Sequence, residues 1–226
     1  MQTKKLICRT VIYCCCFLFI SCSTETVKQK LNEGMKFGKL RFLSIRDKFK
    51  YGHLNAFASD TISWDNRPGF YKVVDSVTHL HIFQDTSYQY QEPSEFSTEL
   101  EFFYSRQKVN SRKLLELTIL SQSETDFCDE IRYLIYDLKG KLVSSFKVAG
   151  TCGDGGYYEK SHGRFLNDSV YQMFTEDNYK TEDTEQSDIV TFSKMTTTIH
   201  RDGTIGQKLE VVRTETAVAS RPARFF

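Results

Sequence analysis

A chain of 226 residues with 30 Lys and Arg against 29 Asp and Glu carries a formal net charge of +1. That near-neutral balance, with no basic stripe, argues against a nucleic-acid partner, and the length suits one domain able to bury its own core. With 18 Phe and 12 Tyr against 3 Pro, and no long Leu/Ala/Glu/Lys stretch, the composition favours strands over helices.

The chain opens MQTKKLICRTVIYCCCFLFISCS, with Lys4, Lys5 and Arg9 ahead of an apolar run over residues 11–20. A charged region followed by a short apolar one is the grammar of a secretory signal. The run is too short to span a bilayer comfortably. It closes on Phe19-Ile20-Ser21-Cys22, which resembles a bacterial lipobox, with Phe19 where leucine is commoner. The resemblance covers this segment alone. It implies cleavage before Cys22, diacylglycerol on the Cys22 thiol, and a lipid anchor in the bacterial cell envelope, in the outer membrane facing periplasm or surface. Loss of three cations with the signal leaves the remaining chain slightly acidic.

The expected organisation is a signal peptide over residues 1–21, a polar tether over 22–38 with a short helical tendency at 27–35, an all-β domain over 39–215, and a loose tail over 216–226. The seven cysteines divide accordingly. Cys8, Cys14, Cys15 and Cys16 leave with the signal and Cys22 takes the lipid. Cys128 and Cys152 remain as one pair, in a compartment that permits a disulfide.

From residue 39 the pattern is mostly of period two. Asn66-Arg67-Pro68-Gly69 is turn chemistry. Residues 70–74 (FYKVV) and 77–83 (VTHLHIF) read as strands by β-branched and aromatic content, and so do 100–104 and 115–120, joined by a polar link at 108–112. Residues 136–143 (YDLKGKLV) predict a hairpin with a type I turn and a G1 bulge, Gly140 taking the left-handed conformation. Residues 198–205 (TIHRDGTI) repeat that plan. Between these hairpins, 164–166 and 170–174 are strand-like. The acidic stretch 175–188 has no apolar face and reads as an exposed loop, without the glycine and spacing of an EF-hand. The expected architecture is an antiparallel sheet system, a sandwich or an open barrel, with about nine to eleven strands.

The glycine-rich segment AGTCGDGGYYEKSHG, residues 149–163, invites three readings. It lacks the G-x-G-x-x-G of a dinucleotide loop and the Gly-Lys-Ser/Thr of a P-loop. A metal reading would recruit Cys152, Asp154 and His162, or His79 and His81 at i, i+2 spacing on a strand, and both sets fall short of a converging ligand set. The preferred reading is a turn stapled by a Cys128–Cys152 disulfide, its glycines letting the chain leave the hairpin and reverse into Tyr157. If Asp137 pairs with Lys141, the hairpin register puts Cys128 opposite Gly150, with Cys152 as a diagonal neighbour.

No G-x-S-x-G, no H-E-x-x-H and no recognisably activated Ser or Cys occurs, so no catalytic, metal or cofactor site is expected. Three segments, Asp60-Thr61-Ile62, Asp75-Ser76-Val77 and Asp168-Ser169-Val170, resemble the O-glycosylation sequon of exported proteins in one large group of Gram-negative bacteria. That would place sugar on Thr61, Ser76 and Ser169, while Asp-Ser at a turn-to-strand junction accounts for the same residues without sugar. The functional expectation is a lipid-anchored extracytoplasmic protein that is non-catalytic, binding an envelope protein or glycan or serving a structural role. The alternative is a lipid-anchored hydrolase acting on an envelope or extracellular substrate such as glycan. A deep pocket with two facing carboxylates would favour the hydrolase, and a flat aromatic surface would favour binding.

Overall fold

The computed structural model describes residues 46–58, 70–71, 76–84, 99–109, 111–123, 127–154, 156–180 and 187–218. Cys22, Thr61, the 66–69 turn and the tether therefore lie outside the described residues. The elements are a 3-10 turn at Arg46–Lys48, β1 (Ala56–Ala58), α1 (Ser76–Phe83), β2 (Glu99–Gln107), β3 (Leu115–Ser123), β4 (Cys128–Tyr136), β5 (Leu142–Asp154), β6 (Tyr157–Asn167), β7 (Val170–Lys180), β8 (Ser187–Ile199) and β9 (Ile205–Val218). The nine strands form one open antiparallel sheet. Strands β2 to β9 follow one another as neighbours in chain order, and β1 pairs with β6. The all-β, antiparallel expectation holds. Among the described residues no helix is long and apolar enough to cross a membrane.

The sheet folds over itself at β5 and β6. These strands pair only between Gly150–Asp154 and Tyr157–Ser161. Beyond that they part, and β1 lies against β6 from His162 to Arg164. Parting brings Tyr171 of β7 and Ile199 of β8 into the same buried cluster as Phe102 and Tyr104 of β2, Ile131, Tyr133 and Ile135 of β4, and Phe146 of β5. The Tyr171 hydroxyl donates to the Val148 carbonyl at 2.7 Å, tying the two halves. At Gly163 a Cβ would stand 2.4 Å from the Gln172 carbonyl and 2.6 Å from the Tyr171 hydroxyl, so only glycine lets the ring lie across β6.

A second cluster gathers Phe103, Leu117, Ile119, Leu134 and Tyr136 with Ile82 of α1. Strands β3 and β4 are thus covered on both faces, which is why residues 116–120 (ELTIL) are buried without a break. Residues 77–83, expected as a strand, form α1 instead. The reason is tertiary: the helix caps this second apolar face, Ile82 is buried, and the Tyr136 hydroxyl donates to the Ile82 carbonyl at 2.5 Å. Local β-branched content yields to that packing. Phe70 and Tyr71 lie outside any strand. The Tyr71 carbonyl still accepts from the Phe103 amide at 3.0 Å, at the edge of β2.

Both expected hairpins form. Gly140 has φ +84° and Gly203 φ +89°, the left-handed positions of the two turns. The Asp137 amide donates to the Lys141 carbonyl at 2.9 Å, and His200 to Thr204 at 2.8 Å. The stretch 175–188 departs from expectation. Strand β7 runs through to Lys180 and β8 begins at Ser187, so only residues 181–186 are left between them. The ladder continues because Glu176 faces Phe192 and Asp177 faces Thr191 across the pair, and backbone pairing there needs no buried side. Strand β9 likewise continues to Val218, past the expected boundary at residue 215.

Candidate functional site

The expected register of the cysteine staple differs from the observed one by two residues. Cys128 and Cys152 stand directly opposite each other, their Cα atoms 4.1 Å apart, and their sulfurs are bonded. Two register shifts, between Ile131 and Arg132 and between Ile135 and Tyr136, each insert one extra residue of β5. Together they move the partner of Cys128 from Gly150 to Cys152. The Gly153 amide donates to the Phe127 carbonyl at 3.2 Å beside the bridge, which makes Cys128 and Cys152 a non-hydrogen-bonded pair, the closer of the two kinds. Asp154 pairs with Tyr157, so β5 and β6 stay paired to the end of β5 and from the start of β6.

The residues weighed as metal ligands are dispersed. Cys152 is in the disulfide. His162 is exposed on β6 and stacks on Phe174, ring centroids 6.0 Å apart. His79 is buried in α1 against Glu101, Nδ1 to Oε2 at 2.7 Å, and positions 79 and 81 of a helix do not share a face. Among the described residues no group of three or more His, Cys, Asp or Glu side chains gathers. Ser76 is the first residue of α1. Ser169 lies in the turn between β6 and β7, half-buried, its hydroxyl 3.4 Å from an Arg112 guanidinium nitrogen.

Three places carry side chains with chemical potential. The first is the end of the fold where His53, Asn55, Val109, Phe165, Leu166, Asn167 and Asp168 line a cavity of about 240 Å3. Beneath it Arg112 bonds both oxygens of Glu116 at 3.0 Å, and Glu116 also accepts from the Tyr133 hydroxyl. Burial, and then the Glu116 carboxylate, hold the Tyr133 phenol far above its ordinary value. This network is internally satisfied and presents no acid or base to the cavity.

The second is a carboxylate pair. Glu159 and Asp177 face each other across β6 and β7, and Lys147 Nζ pairs with Glu159. The Tyr157 hydroxyl lies 2.9 Å from Glu159 and 3.3 Å from Asp177. One hydroxyl has one proton, so the two acceptors compete for it. Desolvation, and then the Glu159 charge, raise the Asp177 carboxyl above its usual range. A raised carboxyl favours folding below its unfolded value, and that contribution is lost as pH rises through the folded one. Asp177→Asn is therefore expected to stabilise the fold at neutral pH, by no more than about 1 kcal/mol for a partly solvated group, and to have no stabilising effect at pH 3. Thermal melts at the two pH values check this, and a destabilised variant at pH 7 would refute it.

The third is the open face of β6 to β9. Cross-strand register sets His162, Phe174, Lys194 and Glu210 in one row and Lys160, Glu176, Phe192 and Arg213 in the next. The Arg213 guanidinium sits 4.1 Å from the Phe192 ring centroid. Tyr158, on the same side of β6, is exposed, as are Arg164 and Phe174. The result is a four-stranded surface on which aromatic rings stand among cations and the carboxylates of Glu176 and Glu210. Alternation in residues 158–164 and 172–176 carried this signal, but which of the two alternating sets faces solvent depends on how the sheet folds over.

Comparison with known proteins finds no matching family model, no matching curated protein and no matching solved structure.

Proposed function

We propose that the protein is a lipid-anchored component of the bacterial envelope, held at Cys22, that binds a glycan non-catalytically through the open face of β6 to β9. The observation that carries this reading is the array of Tyr158, His162, Phe174 and Phe192 with Arg164, Lys194 and Arg213 among them. Aromatic rings offer apolar surface to sugar ring faces, and their preferred geometry is specific. The cations beside them suit hydroxyl and acidic groups. The hydrolase alternative needs open space between two carboxylates for a scissile bond. The Tyr157 hydroxyl occupies the position between Glu159 and Asp177, and Lys147 neutralises one of them.

The test is titration of the protein with purified envelope polysaccharide and with peptidoglycan fragments. Phe174→Ala and His162→Ala are each expected to weaken binding about tenfold without moving the melting temperature, because both side chains are exposed. Absence of binding to either glycan, or binding unchanged in both variants, would refute the reading. Release of reducing ends during the titration would favour the hydrolase.

A further inference from the structure

The two edges of the sheet are treated differently. At β2 the edge is occupied: the Tyr51 amide donates to the Tyr104 carbonyl at 3.0 Å and the Arg106 amide to the Tyr51 carbonyl at 3.1 Å. At β9, a strand of 14 residues, no described segment pairs with the outer side. Leu209, Val211 and Val212 are 58%, 64% and 60% exposed along it. A long unpaired edge with apolar side chains exposed along it is a template for another strand.

The order of charges says which strand. Lys208, Glu210, Arg213 and Glu215 alternate in sign. In a regular strand Lys208 and Arg213 would lie on opposite faces, since five residues separate them. A register shift between Phe192 and Ser193 makes Val212 an extra residue. Lys208 then pairs with Thr196, Glu210 with Lys194, Arg213 with Phe192 and Glu215 with Val190, all on one face of β8. The bulge therefore gathers four charges, plus-minus-plus-minus, on a single side of the edge.

We infer that β9 pairs antiparallel with β9 of a second copy of this chain, about a two-fold axis centred between Val211 and Val212. Reversing the pattern about that centre puts Lys208 opposite Glu215 of the partner subunit and Glu210 opposite Arg213 of the partner subunit. Leu209 meets Thr214 of the partner subunit, and Val211 meets Val212 of the partner subunit. Leu209 and Thr214 also share a face, through Met195 and Thr191 of β8. A parallel pairing in register would set like charges side by side, which is destabilising. A bulge usually protects an edge. Here both copies carry the extra residue at the axis, so the ladders on either side of it match. The contact is isologous, as a two-fold interface must be. Backbone pairing and the burial of Leu209, Val211 and Val212 supply affinity, while the exposed charges select direction and register.

The experiment is sedimentation velocity of the full chain in detergent over a range of concentrations. The wild type is expected to sediment as a dimer that dissociates on dilution. Arg213→Glu sets two acids opposite each other twice per dimer and is expected to raise the dissociation constant about tenfold. E210R/R213E reverses both members and is expected to restore the wild-type value. That rescue separates pairing across the axis from contacts within one chain, because the double variant places Arg at position 210 beside Lys194 and removes the Arg213–Phe192 contact. A wild type that stays monomeric, an Arg213→Glu variant that dimerises as well as the wild type, or a double variant that is not restored would each overturn the inference.

Discussion

Replacing Arg112 by Met is expected to cost about 3–5 kcal/mol of folding stability, the scale for removing one partner of a buried ion pair. Side-chain exposures of 1% for Arg112 and 2% for Glu116 leave no water to take over from the guanidinium. Arg112 also reaches the Asp168 carbonyl, in the turn between β6 and β7, so it joins the β2–β3 link to the folded-over half of the sheet. With arginine gone, Glu116 keeps one strong partner, the Tyr133 hydroxyl, and a buried charge with too few donors. The double variant R112M/E116L, which removes the charge with its partner, is expected to recover most of the loss, because an apolar pair of similar volume is often neutral. Chemical denaturation of the three proteins at neutral pH reads both effects. A single variant within 1 kcal/mol of wild type would show that the network contributes little.

Reduction of the Cys128–Cys152 bridge, or its replacement in C128A/C152A, is expected to cost about 3 kcal/mol, or a drop of about 6–12 °C in Tm for a domain of this size. The bridge closes a segment of sequence separation 24. In the chain-entropy model most of its effect lies in the unfolded ensemble. Its location adds a local role. Cys152 lies in the short stretch where β5 pairs with β4 on one side and β6 on the other, just before the sheet turns back. Loosening this corner should raise amide exchange at Thr151 and Gly153 more than at Tyr133 or Leu134, which lie deep in β4. Equal melting temperatures with and without reductant would contradict the stabilising role. Uniform exchange would contradict the local one.

Much of the ladder was readable because it obeys local rules. The hairpins at Gly140 and Gly203 are written in turn chemistry that few residues other than glycine can satisfy. The strands at 100–104 and 115–120 carry their own aromatic and β-branched signal. Residues 77–83 misled for a physical reason. A seven-residue segment has no period of its own strong enough to choose, and here an uncovered sheet face chose helix. The acidic stretch misled in the opposite sense, since a strand paired on both sides can stand in solvent without an apolar face.

The candidate surface was less legible than the fold. His162, which the sequence offers only as part of an incomplete metal set, stands on an aromatic row with Phe174. Phe192 and Arg213 are 21 positions apart in sequence and adjacent only because β8 and β9 pair. The register of Cys128 depended on two bulges that no residue type announces.

The amino-acid sequence by itself determined the strand-rich composition, the two glycine turns, the pairing of the last two cysteines and the lipobox-like start, because each rests on the chemistry of residues that are neighbours or few in number. The tertiary structure decided where the sheet folds over, which of two alternating faces meets water, that residues 77–83 are helical, and that Arg112 meets Glu116 under Asp168. These depend on long-range packing, where a one-residue slip exchanges every buried side chain for an exposed one.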